Sequence, residues 1–156
     1  MRRHNLPAAL AVVGLGVTAM LAGCSAADPA AVAAVGRDRD GYLAVVQMCD
    51  QGRTVTSAAF SEVPDGGPSL AWIGRTVEPI TVYRVDEDPP DNWVLDVDGG
   101  LVSDRTYSFV ASADDLVVTG PEFTLADLNE LNTGEVIGAD GTVQTFDDFL
   151  DESCSP

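Results

Sequence analysis

The sequence predicts a mainly β domain, a sandwich or small barrel carrying a short helix near its C-terminal end. Three observations lead there. Short apolar runs recur along the chain, and several alternate with period two, as half-buried strands do. Glycine, proline and aspartate punctuate the runs at short intervals. A helical pattern enters only after residue 123, where leucines fall three apart.

The elements follow in order. Asp28-Pro29 has the form of a helix start, but a helix closing at Gly36 is too short to stand alone. A tether leading into a first strand is the expectation. Arg37-Asp38-Arg39-Asp40-Gly41 reads as a turn, and residues 42–49 as a β-prone apolar strand. Asp50-Gln51-Gly52 turns the chain into an alternating run over 54–60. Strands are expected over 70–77, 80–85 and 93–97, the last with Trp93, Leu95 and Val97 on one face. Asp98-Gly99-Gly100 is a turn, and Tyr107, Phe109 and Ala111 share a face of the strand at 106–112. Asp114-Asp115 leads into a strand at 116–119. Thr124 and Asp127 form a capping pair for a helix ending near Leu131, and a last strand is expected at 135–137. Residues 145–150 form a second short apolar and acidic turn before Cys154.

The segment Leu101-Val102-Ser103-Asp104-Arg105-Thr106-Tyr107 places a leucine six residues before a strand-opening tyrosine. It resembles the tyrosine corner of fibronectin type III and related immunoglobulin-like sandwiches. That resemblance implies a phenol hydroxyl bonded to the backbone upstream. The proline usual after the leucine is absent. The expected fold is therefore an immunoglobulin/fibronectin-III-like sandwich with a short C-terminal helix.

The N-terminus carries a different message. Arg2 and Arg3 precede an apolar run that ends in Leu21-Ala22-Gly23-Cys24. This run is too short for a comfortable spanning helix and has the layout of an export signal. The four residues resemble the lipobox of bacterial lipoproteins, in which the cysteine thiol receives a diacylglycerol and the chain is cut before it. The resemblance implies a cleaved signal at 1–23, lipidation of Cys24, a lipidated tether at 24–36 and an acidic domain at 37–156. It implies attachment to the cell membrane on its extracytoplasmic face. His4-Asn5-Leu6-Pro7 departs from a twin-arginine signal, so the general export route is expected. The arginine-only, Ala/Val/Gly/Asp-rich composition resembles the product of a GC-rich, actinobacterial genome. Residues 123–137 resemble segments that close small actinobacterial lipoproteins.

Cysteine usage agrees with an anchor. The chain has three cysteines. Assigning Cys24 to lipid leaves Cys49 and Cys154, an even pair in an oxidising compartment, and a disulfide between them is expected. It would link an early strand to the C-terminal end.

Charge and residue absences narrow the function. All eight basic residues are arginine, and two lie upstream of Cys24, so six face twenty-five carboxylates in the remaining chain. Such a balance argues against nucleic acid and against direct docking on an anionic bilayer. The single histidine is His4, within the expected signal, and lysine is absent. Ser-His-Asp, Cys-His and Ser-Lys catalysis are thereby excluded for the mature domain, as are a histidine-bound zinc site and a phosphate loop. Carboxylate-only chemistry survives, as in a glycan hydrolase, but no catalytic motif stands out. The expectation is a non-enzymatic envelope lipoprotein, without a cofactor, that binds or scaffolds an envelope protein or glycan. Weak calcium binding is considered at Asp86-Glu87-Asp88-Pro89-Pro90-Asp91, where four carboxylates flank a diproline. A glycan-stacking surface is considered from Trp72, Trp93, Tyr42, Tyr83 and Tyr107, although aromatics alternating with aliphatics in strands usually form core.

Overall fold

Residues 29–64, 66–85 and 87–154 are described by a computed structural model. Ten strands make two antiparallel sheets of five. The first holds β1 (Ala31–Arg37), β2 (Tyr42–Met48), β5 (Ile80–Arg84), β9 (Glu135–Gly138) and β10 (Val143–Thr145), in the order β10-β9-β1-β2-β5. The second holds β3 (Val55–Glu62), β4 (Pro68–Thr76), β6 (Trp93–Asp98), β7 (Thr106–Ala113) and β8 (Leu116–Thr124), in the order β6-β4-β3-β7-β8. Helix α1 (Leu125–Glu130) links β8 to β9, and α2 (Phe146–Glu152) follows β10.

This is the expected immunoglobulin-like sandwich. β1-β2-β5 against β3-β7-β8 reproduces the A-B-E and C-F-G arrangement, and β4 extends the second sheet beside β3 as a C′ strand does. β6 is added outside β4, and the β9–β10 hairpin outside β1. The tyrosine corner is present. The Val102 N–H donates to the Tyr107 hydroxyl at 2.8 Å, and Tyr107 is fully buried.

The two sheets read differently because they are covered differently. β7 alternates strictly between buried and part-buried positions, since only its inner face meets the core. β1 and β2 each bury four consecutive residues. Their inner side chains join an inter-sheet core rich in aromatics, with Phe60 5.8 Å from Trp72 and 5.3 Å from Phe109. Their outer side chains Ala34, Leu43 and Val45 pack with Val136 and with Phe149 of α2. The Cys49–Cys154 disulfide, with Cα atoms 5.2 Å apart, fastens the end of α2 to the end of β2. Gln47 Nε2 adds a hydrogen bond to the Leu150 carbonyl at 2.9 Å.

The first strand expected at the end of the tether is β1, which starts at Ala31 and is inserted between β9 and β2. Small alanines suit a strand pressed on both faces. Three expectations are corrected. Trp93 and Leu95 stand opposite Gly74 and Trp72, but a register shift at Asp96 sets Val97 opposite Ala71, so the three do not share a face. β8 runs on to Thr124 through Gly120-Pro121, which a strand at the sheet edge accommodates beside its own register shift. Residues 146–152 form a helix, capped by Thr145 through the Asp148 N–H, where a turn was expected. The capping box of Thr124 and Asp127 is found as read.

Candidate functional site

Cys24 lies outside the described residues. The Cys49–Cys154 pair is bridged. Asp86 is also outside them. The rest of its loop does not gather carboxylates around a point. Glu87 leans on Arg84 at 3.7 Å, and Asp88 and Asp91 face solvent. Among the described residues no three His, Cys, Asp or Glu side chains are grouped to hold a metal ion. The aromatic set does not form an exposed platform either. Trp72, Tyr83 and Tyr107 are fully buried and Trp93 nearly so, because their strands direct them between the sheets. Tyr42 is half-buried and donates its hydroxyl to Asn129 Oδ1 at 2.6 Å.

What the fold assembles instead is a cleft on one flank. β5 and β6 are the terminal strands of their sheets, and among the described residues no further strand bridges the space between them. A cavity of about 420 Å³ opens there, lined chiefly by Thr76, Glu78, Thr81, Asp91, Asn92 and Trp93. Local structure places these groups. Trp93 is held over Gly74, where an added Cβ would stand 2.4 Å from the indole. The backbone N–H of Trp93 donates to the Pro90 carbonyl at 2.9 Å, and Asn92 takes a left-handed φ of 66°, a conformation asparagine tolerates. The indole meets the Tyr83 ring edge-on at 5.1 Å. Alternation along β5 turns both Thr81 and Tyr83 inward.

Three polar atoms at this flank are buried with no hydrogen-bond partner among the described residues: Thr81 Oγ1, Tyr83 Oη and Trp93 Nε1. Burial pushes the Tyr83 phenol well above its ordinary pKa, with the nearby Thr81 hydroxyl offsetting part of this, although neither oxygen reaches hydrogen-bond geometry. The phenol therefore stays neutral. Each such atom costs about 1–3 kcal/mol relative to a paired one. Trp93 and Tyr83 stand out in the sequence as aromatics, whereas Thr81 and Glu78 do not. The signal for Thr81 was available, because period two in Ile80-Thr81-Val82-Tyr83 sets it on the face of Tyr83.

The opposite flank carries a second hollow of about 420 Å³, edged by Glu122, Asp127, Glu130 and Glu135 over Leu131 and Ile137. Two of these four carboxylates close local hydrogen bonds. Asp127 accepts from the Thr124 N–H at 2.7 Å and closes the α1 cap. Glu135 accepts from the Asn132 backbone and side chain, and these bonds hold its carboxyl below the usual range. That direction is opposite to what a general acid requires. No helix among the described residues is long and apolar enough to cross a membrane. No family model, curated protein or solved structure matches the chain.

Proposed function

We propose that the chain is a lipid-anchored lipoprotein of the cell envelope whose acidic sandwich binds or scaffolds a partner outside the cytoplasmic membrane without catalysing a reaction. The observation that carries this reading is the short distance from Leu21-Ala22-Gly23-Cys24 to a folded domain. The sandwich begins at Ala31, so only residues 25–30 separate it from the cysteine. Fully extended, that leash reaches about 20 Å. Its last residue is fixed, since the Ala30 carbonyl accepts from the Cys49 N–H at 3.0 Å. The end of the sandwich bearing the disulfide and the β4–β5 turn would therefore lie nearest the bilayer. Absence of histidine from the domain and of lysine from the chain supports binding over catalysis. The glycan-binding form of this reading is favoured over the calcium form by the cleft between β5 and β6.

Anchoring is tested by detergent-phase partitioning and intact mass of the exported protein. The expected result is a chain starting at Cys24 and carrying lipid, with stable attachment because two or more acyl chains hold where one does not. Cys24→Ser should give uncut or released protein. A Cys24→Ser chain that remains membrane-bound with a normally cleaved N-terminus contradicts the reading. Crosslinking in native membranes followed by pull-down then identifies what the domain holds.

A further inference from the structure

We propose that the cleft between β5 and β6 is a saccharide-binding site that takes a sugar ring by its hydroxyl groups. This rests on the reading of the domain as a binding module and names the ligand class of one site on it.

The chemistry of the walls selects the ligand. Trp93 Nε1 only donates, so the ligand must present an acceptor. Glu78 and Asp91, exposed on the rim, only accept when ionised, so the ligand must also donate. An ammonium group donates but cannot accept, and leaves the indole unpaired. An anion accepts, but meets two carboxylates. A hydroxyl does both, and a sugar ring carries several at fixed spacing. The hydroxyl of Thr81, which lines the cavity, is equally bifunctional. Ile80, Val82 and Pro90 give the cavity an apolar side for the C–H face of a ring. The volume, about 420 Å³, lies in the ordinary range of small-molecule sites, about 300–1,000 Å³.

The second observation is the set of unpartnered atoms. Thr81 is 7% exposed and Trp93 5%, both line the cavity, and the polar atom of each lacks a partner. Tyr83 Oη, unpartnered as well, stands close to Thr81. Valine and phenylalanine would fill the places of Thr81 and Tyr83 without that cost. Two buried residues that line one cavity and keep an unpartnered polar atom at a cost in stability mark a site completed by a ligand.

The test uses the whole chain, purified in a detergent without a sugar headgroup. It is applied to an array of pentoses, hexoses, N-acetylhexosamines and their short oligomers, with a polyamine as the cationic control. The expected result is binding to at least one saccharide, competed by the free sugar and accompanied by a change in tryptophan fluorescence. Thr81→Val should weaken that binding at least tenfold while melting no lower than the parent. Asp91→Asn, on the exposed rim, should weaken it without altering the melt. Binding to no saccharide overturns the proposal, as does polyamine binding alone. So does saccharide binding that both variants leave unchanged, or a lower melting temperature for Thr81→Val, which would assign its hydroxyl a structural partner. The array reads binding whether or not Cys24 is lipidated, so failure here is distinct from failure of the anchor.

Discussion

The two flanks of the sandwich treat their polar groups in opposite ways. On the flank of β8, α1, β9 and β10, side chains close their own hydrogen bonds: Thr124 with Asp127, Asn132 with Glu135, Thr142 with Asp140 and Thr145 with Asp148. On the flank of β5 and β6, Thr81, Tyr83 and Trp93 keep polar atoms buried and unpartnered. The contrast is sharpest between two tyrosines of equal burial. Tyr107 accepts from Val102 and pins a corner, whereas Tyr83 Oη has no hydrogen-bond partner among the described residues and only the Thr81 hydroxyl near it. A tyrosine spent on the fold and one held for a ligand are separated by their hydrogen bonds, not by their depth.

The comparison is most severely strained by opening the covered side of the first sheet. The double variant Cys49→Ser, Cys154→Ser releases the end of α2 from β2. Bridging residues 105 apart constrains a long loop in the unfolded chain, so removal should cost about 2–5 kcal/mol in urea denaturation. Hydrogen exchange should rise first in β1 and β2, whose outer side chains α2 covers. A cost under about 1 kcal/mol, or first opening in β4 and β6, would mean that the bridge is not what holds this face.

A smaller effect comes from pH. Burial alone would raise the Asp38 carboxyl, but the Arg84 hydrogen bond, the N–H groups of Asp40 and Gly41 and the Arg84 charge outweigh it and hold it below its ordinary value. A group depressed in the folded state contributes stability above its unfolded pKa of about 4 and loses it as pH falls through the folded value. Asp38→Asn should therefore lower stability at neutral pH and flatten the acid limb of the stability curve. An acid limb unchanged in slope would place the acid sensitivity elsewhere among the carboxylates.

Much of the architecture was legible because the second sheet is open on its outer face. One-sided burial imposes period two, and the run Tyr107, Phe109, Ala111 shows it directly. The tyrosine corner could be read from Leu101 and Tyr107 because its spacing is local. The first sheet was harder. β1 is Ala-rich and buried on both faces, so it lacks alternation and the point where tether gives way to strand is blurred. Helix α2 is only seven residues long, and what makes it stable is Phe149 against Val45 together with a bridge to a residue far away in sequence. The register shift at Asp96 depends on how β6 meets β4, which no single-strand pattern contains. The cleft was half legible. Trp93 and Tyr83 attracted notice as aromatics, but the feature that distinguishes them is a missing partner, and partners are a property of the packed state.

The most direct measurement compares Tyr83→Phe with Tyr107→Phe by thermal and urea unfolding of the ligand-free chain. Tyr107→Phe strips the Val102 N–H of its partner and should lower stability by about 1–2 kcal/mol. Tyr83→Phe removes a hydroxyl that has no hydrogen-bond partner among the described residues and should leave stability unchanged or raise it. If Tyr83→Phe instead destabilises the chain as much as Tyr107→Phe does, the β5–β6 flank satisfies its own polar groups and the distinction between the two flanks is wrong.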